Sequence, residues 1–211
     1  MSQVTRWWWV RHAPVVGMEG RIYGSDDVPC DTSDTVSFQA LAAALPGDAL
    51  WLTSHLGRAR KTAQAIADAG LSYPEPIIEE HLGEQDFGDW QGFTWDEMKE
   101  KGADIYEEFW QLPARNAPPG GESFADQIAR TAAVIDRVTD EHGGRDIVAV
   151  AHGGTIRAAV AHALGLEPEG GMSFAFSNLS VTRLEHVAEG LLRGRGGRWR
   201  VVSVNHPPLG M

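Results

Sequence analysis

Arg11 and His12 stand side by side, directly after a run of bulky aromatic and β-branched residues at 7–10. Such a run predicts a buried strand, and Pro14 ends it because proline has no N–H to give to a sheet. In open α/β sheets, ligands collect just beyond the carboxyl ends of the strands. A cation and an imidazole at that place therefore sit where chemistry is usually done, although one such pair is more often a surface or packing feature.

A second histidine, His152, follows the clearest buried-strand pattern of the chain, residues 146–151. A near-continuous apolar run that leads into a glycine turn, here Gly153 and Gly154, and then into a helix is typical of a central parallel strand. His152 is therefore also expected at the carboxyl end of a strand.

Arg58 lies in the first turn of an alanine-rich helix that is predicted to run to about Gly70, after a strand at 49–54. A helix N-terminus offers free N–H groups and a positive dipole end, so Arg58 would reinforce an anion site there.

Glu84 belongs to a segment, residues 84–92, in which glycines and aromatic residues interleave with carboxylates. This composition fits a tight loop that holds a carboxylic acid against apolar rings, where it could carry a proton near neutral pH. The alternative is a surface turn whose aromatic side chains reach back to the core.

Two arginines and two imidazoles offer donors that match the oxygens of a phosphoryl group, and a protonatable carboxyl group can serve a leaving alcohol. The residues Arg11, His12, Arg58, Glu84 and His152 together therefore indicate phosphate chemistry. The other six histidines do not share this setting and are expected to be structural or solvated: His55, His81, His142, His162, His186 and His206.

The rest of the pattern gives the elements that position these residues. Helices are predicted at 34–45, with Val36, Leu41 and Leu45 near one face, from a capping box at 94–97, at 123–142 and at 156–164. Ile77 and Ile78 begin a short extended piece. Strands 179–186 and 198–204 are expected to form a hairpin at the sheet edge across the turn at 194–197, and the residues after Pro208 are expected to be loose.

Composition bounds the class of protein. A chain of 211 residues with 43% hydrophobic and 22% charged residues is expected to form one compact domain. The formal charge of -11 repels nucleic acid and anionic membranes, so an anionic ligand requires local arginines. Cys30 is the single cysteine and cannot form an internal disulfide. Because neither a signal-peptide pattern nor a membrane-spanning run is present, a soluble, cytoplasmic protein is expected.

Five segments in chain order, residues 11–12, 54–63, 84–92, 119–123 and 150–154, carry a resemblance to a known family. They resemble the histidine phosphatase superfamily, also called phosphoglycerate mutase-like, and within it the small bacterial branch of alpha-ribazole and broad-specificity phosphatases. The resemblance covers nearly the whole chain. It implies a single-domain α/β fold, a three-layer α/β/α sandwich with a mainly parallel central sheet, an antiparallel edge and a substrate-selecting insertion at about 93–118.

The resemblance also implies a role for each candidate residue: His12 as nucleophile, Glu84 as proton donor, and Arg11, Arg58, His152 and Gly153 as the phosphate pocket. It implies a phosphomonoesterase that acts on a small phosphate ester through a phosphohistidine, without metal or other cofactor.

Two positions depart from the family pattern. Ala13 replaces the glycine that usually follows Arg-His, and Met18 stands where many members place an asparagine that touches phosphate. Met18 would therefore leave one phosphate donor missing.

Two other functions stay open: phosphoglycerate mutase-type phosphoryl transfer, and non-catalytic phosphate binding on the same fold. The exposed aromatic side chains expected between Trp95 and Trp110 could line a pocket or form a homodimer interface.

Overall fold

The structure is a computed structural model that describes residues 3–72, 74–192 and 195–209. A six-stranded sheet with the order β3-β2-β4-β1-β5-β6 lies at its centre. The strands are β1 (Val4–Arg11), β2 (Leu50–Thr53), β3 (Ile77–Ile78), β4 (Asp146–Ala151), β5 (Val181–Val187) and β6 (Trp199–His206). Strands β3, β2, β4 and β1 are parallel, whereas β5 and β6 join antiparallel at one edge. The expected mainly parallel sheet with an antiparallel edge is confirmed.

Helices cover both faces of this sheet. They are α1 (Thr35–Ala44), α2 (Gly57–Asp68), α3 (Trp95–Lys101), α4 (Ala103–Gln111), α5 (Phe124–Glu141), α6 (Gly153–Leu164) and α7 (Pro168–Gly171). One buried cluster joins the sheet to α5 and α6, and a second joins the opposite face to α1 and α2. Since each face buries its own apolar layer, the molecule has the three layers expected of an α/β/α sandwich. None of the helices in the described residues is long and apolar enough to cross a membrane.

The central strand β1 owes its position to its aromatic residues. Trp7 and Trp9 are fully buried on the α5–α6 side, and their rings stack with centroids 5.1 Å apart. Trp7 also donates its indole N–H to Thr139 Oγ1 at 3.0 Å. Because the strand is fixed along its length in this way, its last residues are held firmly at the carboxyl edge of the sheet.

Two details differ from the sequence-based expectations. Val36 is 58% exposed, whereas Leu41 and Leu45 are buried. At about 100° per residue, Val36 lies on a different face of α1 from the other two. The segment after the Thr94 capping box forms two helices, because the backbone leaves the helical conformation at Gly102, where φ is -159° and ψ is 68°.

Two expectations fall partly outside the described residues. The β5–β6 connection includes residues 193 and 194, and the tail ends with residues 210 and 211, which are not among them. The two strands of the expected hairpin do pair with each other.

Candidate active site

His12 follows β1 directly and is fully buried. Its backbone N–H donates to the carbonyl of Ala151, the last residue of the neighbouring strand β4, at 3.0 Å. Its ring Nδ1 lies 2.7 Å from the carbonyl oxygen of Ala13. Because a carbonyl can only accept, Nδ1 carries the proton and the lone pair stays on Nε2. That Nε2 is buried and without a hydrogen-bond partner in the part of the chain that the structure describes.

The surroundings of His12 keep its ring neutral. The pKa of His12 is lowered from 6.5 to about 4, chiefly by burial, and the positive charges of Arg58 and Arg11 act in the same direction. The hydrogen bond to Ala13 and the carboxylate of Glu84 offset part of this lowering. At neutral pH the imidazole is therefore unprotonated, which is the form that can attack an electrophile.

Arg58 is fully buried in the first turn of α2. Its guanidinium donates to the carbonyl oxygens of Gly24 at 2.6 Å and Asp26 at 2.5 Å, and its Nε–H donates to His152 Nδ1 at 3.3 Å. Burial lowers the pKa of Arg58, and Glu84 and Tyr23 act in the opposite direction. Because a guanidinium has five N–H donors, two remain for a ligand after these three bonds.

His152 joins the site from the end of β4. Since its Nδ1 accepts a hydrogen bond from Arg58, the neutral ring carries its proton on Nε2 and donates it to Ser54 Oγ at 2.6 Å. Its ring centroid lies 5.1 Å from that of His12. Burial holds the pKa of His152 well below 6.5, and His12 and Arg58 add to this. His152 can donate to a phosphate only by exchanging its bond to Ser54.

The carboxylate of Glu84 is held by amide groups. Its Oε1 accepts from the backbone N–H groups of Gln85 and Gly154, both at 3.0 Å, and from Gln127 Nε2 at 3.2 Å. Its Oε2 accepts a single longer bond of 3.3 Å, from Gly154. Hydrogen-bond donors therefore hold this carboxylate, and not the apolar rings that the composition of residues 84–92 suggested. Oε2 is the oxygen with free capacity to exchange a proton with a ligand.

An ion pair fixes the backbone next to Glu84. Arg130 on α5 donates to both carboxylate oxygens of Glu122, at 2.9 and 2.6 Å, and to the carbonyl of Glu84 at 3.1 Å. Glu122 Oε1 also accepts from the N–H of Asp86 at 3.1 Å. Both side chains are about 20% exposed. The segment 119–123 thus anchors the Glu84 loop.

Arg11 lies against the start of α6. A methyl group added at Gly153 would lie 3.5 Å from Arg11 Nε, which is ordinary contact. This Nε is buried and unpartnered among the described residues, while the terminal nitrogen Nη1 donates to the carbonyl of Phe176. On the same helix, Arg157 Nε donates to the carbonyl of Phe174 at 2.7 Å. Two neighbouring carbonyls of one segment therefore hold two guanidinium groups.

This segment, residues 174–179, was not predicted from the sequence as part of the site. Asn178 Nδ2 donates to the carbonyl of His12 at 2.8 Å. Leu179 has a positive φ of 61°, a conformation that costs a non-glycine residue energy and that is found preferentially at functional sites. The contacts of the Phe174 and Phe176 carbonyls depend on the backbone conformation of this segment, so the types of its residues do not predict them.

A cavity of about 190 Å³ opens beside Glu84, and its lining does not include Arg11, His12, Arg58 or His152. It is lined by Arg21, Ile22, Tyr23, Gly24, Glu84, Gln85, Phe87, Gly154 and Arg157. Met18 is not part of this lining. A larger cavity of about 490 Å³ lies beside β2 and β3 and contains none of the candidate residues. The small volume fits a small ligand, since pockets for drug-sized molecules are generally about 300–1,000 Å³.

Three further side chains of the site were missed or given no role: Ser54, Gln127 and Arg157. Arg157 could have been found, because it lies four residues after Gly153 and therefore on the same helix face. Of the remaining histidines, His162 bonds to Asp136 at 2.9 Å, far along α6 from the site.

The chain matches the model of a known protein family. Residues 7–205 match the model of the histidine phosphatase superfamily, branch 1. A 2,3-bisphosphoglycerate-dependent phosphoglycerate mutase 2 of Gloeobacter violaceus is 30% identical over 188 residues, which are 86% of this chain and 85% of that protein. A mutase of Mesorhizobium japonicum is 38% identical, but the match covers 51% of this chain and 54% of that protein.

Solved structures with the same fold bear the names of phosphatases. A mycobacterial glucosyl-3-phosphoglycerate phosphatase superposes with a TM-score of 0.79 and 26% identity, covering 96% of this chain and 99% of the other. A putative alpha-ribazole-5'-P phosphatase of Escherichia coli has a TM-score of 0.81 at 23% identity, with 98% of both chains covered, and shows the fold. The chain belongs to the histidine phosphatase superfamily, branch 1.

Proposed function

We propose that the protein is a phosphomonoesterase that hydrolyses a small phosphorylated metabolite through a phosphohistidine at His12. One observation carries this proposal: among the described residues, the neutral, buried imidazole of His12 keeps an unpartnered Nε2 close to the charges of Arg11 and Arg58, and neither guanidinium group lies within 4.0 Å of a carboxylate oxygen. The amide-bound carboxylate of Glu84 beside them supports the same chemistry.

In the first step, His12 Nε2 attacks phosphorus in line with the ester oxygen. The N–P bond forms as the P–O bond to the leaving group breaks, while Arg11 and Arg58 hold the non-bridging oxygens. Glu84 enters this step as the carboxylic acid, protonated on Oε2, and gives that proton to the leaving oxygen, so that a neutral alcohol departs and Glu84 becomes a carboxylate. The ring of His12 is now cationic, and the carbonyl of Ala13 stabilises the charge through Nδ1–H.

In the second step, water attacks the phosphohistidine. Glu84, now a carboxylate, takes a proton from this water, the N–P bond breaks, and its electron pair returns to Nε2 of His12. Inorganic phosphate leaves, and both residues regain their starting protonation states. Splitting one difficult displacement into two easier ones is the advantage of the nucleophile.

Turnover of p-nitrophenyl phosphate by the purified protein tests this mechanism. We expect hydrolysis that survives a chelator such as EDTA, acid-labile labelling of the wild-type protein by a ³²P-labelled ester, and loss of both activity and label in His12→Ala. An Arg200→Gln variant, changed at the opposite end of the sheet, serves as the folded control. Activity that needs a metal ion, or activity that persists in His12→Ala, would refute the phosphohistidine route.

A phosphoglycerate mutase is the second candidate, because the Gloeobacter relative that matches most of the chain is named as one. Both activities share the first half-reaction and differ in whether water or a second substrate oxygen receives the phosphoryl group. The two are separated by supplying 3-phosphoglycerate with a trace of 2,3-bisphosphoglycerate. Accumulation of 2-phosphoglycerate would favour the mutase, whereas release of inorganic phosphate favours the phosphatase.

A further inference from the structure

Arg157 is a partly buried arginine that has no acidic partner among the described residues. Among the described residues, seven arginines lie within 4.0 Å of a carboxylate oxygen: Arg6, Arg21, Arg115, Arg130, Arg137, Arg183 and Arg200. Of the described arginines that lack such a partner, three are at least partly buried: Arg11, Arg58 and Arg157. The first two are candidates for holding the reacting phosphoryl group, and the third has no role in that reaction.

The position of Arg157 is fixed without neutralising its charge. Its Nε–H donates to the carbonyl of Phe174, which orients the plane of the guanidinium and leaves the terminal nitrogens available. Burial lowers the pKa of Arg157; Glu84 raises it and the like charge of Arg11 lowers it. The like charges of Arg11 and Arg157 repel each other, and an anion bound between them would relieve this repulsion.

Arg157 also lies at a suitable place relative to the reacting group. It lines the 190 Å³ cavity together with Glu84 and Gly154. It follows Gly153, which packs on Arg11, by four residues, or about one helical turn of 5.4 Å. Side chains on a helix lean toward its N-terminus, so the guanidinium is displaced toward Glu84. A short leaving group whose oxygen meets Glu84 would bring its far end to Arg157.

We infer that Arg157 binds a second anionic group, a carboxylate or a phosphoryl group, carried on the short leaving group of the substrate. This inference rests on the proposed function and names the substrate class of the same site. The planar fork of an arginine matches either group through two parallel hydrogen bonds. The substrate is then a small phosphate ester with two acidic ends.

Matched substrates test this assignment. Glycerol 3-phosphate and 3-phosphoglycerate share a carbon skeleton and differ in a hydroxymethyl group against a carboxylate. Propane-1,3-diol monophosphate and bisphosphate form the corresponding pair for a second phosphoryl group. We expect kcat/KM of the wild-type protein to favour the doubly acidic member of at least one pair by about 10- to 100-fold, mainly through KM. The pair that shows the preference identifies the group.

Variants of Arg157 test whether this side chain causes the preference for the doubly acidic substrate. Arg157→Gln is expected to lose at least nine-tenths of the preference, and Arg157→Lys, which keeps the charge without the fork, to retain part of it. Arg200→Gln removes the same charge at the far end of the sheet, where Arg200 pairs with Glu185, and is expected to keep the full preference.

The outcomes separate the two proposals. Turnover of p-nitrophenyl phosphate with equal kcat/KM for both members of each pair would overturn the role of Arg157 and leave the phosphatase standing. A preference for the doubly acidic substrate that survives in Arg157→Gln would also overturn the role of Arg157 and leave the phosphatase standing. If no ester is hydrolysed and His12 is not labelled, the proposed function fails, and the inference fails with it.

Discussion

Gly154→Ala is expected to disable the site while leaving the fold intact. A methyl group at this position would lie 2.3 Å from Glu84 Oε1 and 2.7 Å from Gln127 Oε1. A real Cβ does not approach an oxygen so closely, so the carboxylate must move by about 1 Å. Helix propensity alone would favour the change by up to about 1 kcal/mol, since alanine replaces glycine within α6. The Gly154→Ala protein should therefore keep its thermal stability and lose catalytic activity.

The size of the effect follows from the bonds at Oε1. Moving this oxygen by about 1 Å weakens three hydrogen bonds to the Glu84 carboxylate, each worth about 1.5–3 kcal/mol. Losing the equivalent of one of them at the step in which Glu84 transfers its proton lowers kcat by about 100-fold. The loss should be larger for an alkyl phosphate than for p-nitrophenyl phosphate, because nitrophenolate leaves without protonation.

The assay compares kcat on both esters with the thermal unfolding midpoint. Gly170→Ala provides the control, because the same change in α7 places the methyl group 3.4 Å from Leu166 Cβ, an ordinary contact. A folded Gly154→Ala protein whose kcat on the alkyl ester stays within threefold of wild type would show that the position of Glu84 is not critical. A variant that unfolds is examined at lower temperature, where the same comparison of the two esters applies.

Three other predictions follow from the same contacts. The pKa of His12 is about 4 in the folded protein and 6.5 in the unfolded chain, so the unfolded state binds more protons between these two pH values. The free energy of unfolding should therefore fall by about 3 kcal/mol as the pH is lowered from above 6.5 to below 4. NMR of ring-labelled histidine should show His12 neutral at pH 5.5, and a midpoint near 6.5 would contradict this. Ser54→Ala leaves the Nε2–H of His152 buried and unsatisfied, so urea unfolding should show a loss of about 1–3 kcal/mol; an unchanged midpoint would exclude the assigned tautomer. Gln127→Leu removes one hydrogen-bond donor to Glu84 and should lower kcat on an alkyl phosphate about tenfold more than kcat on p-nitrophenyl phosphate. Equal losses of kcat on both esters would assign Gln127 a purely structural role.

The parts of this structure that were predictable from sequence are those encoded locally. The aromatic run before His12 and the apolar run before His152 each specify a buried strand, and the strand end fixes where the next side chain begins. The register that places Arg11 beside Ala151 then brings both histidines to one edge of the sheet. The capping box at Thr94 likewise gave a correct helix start, since the cap and its partner are three residues apart.

The parts that were not predictable depend on contacts between distant segments. Whether the carboxyl group of Glu84 meets aromatic rings or amides is decided by α5 and α6, which are far away in the chain. Composition near Glu84 suggested the rings, whereas Gln127 and the N–H of Gly154 supply the bonds. Gln127 shares the helix with ordinary core residues, and nothing in its spacing distinguishes it from them.

The way in which the arginines are held connects these observations. An arginine paired with a carboxylate is oriented and neutralised at once, whereas a carbonyl oxygen orients the guanidinium and leaves its full charge. Arg11, Arg58 and Arg157 are all bound by backbone carbonyls, which come from Phe176, from the loop at 24–26 and from Phe174. The protein thus keeps three buried or partly buried positive charges available in a chain whose overall charge is negative. Because any residue can supply a backbone carbonyl, this arrangement leaves no mark in the sequence. If the proposed function holds, the number of guanidinium groups without a carboxylate partner sets the negative charge that the substrate should carry.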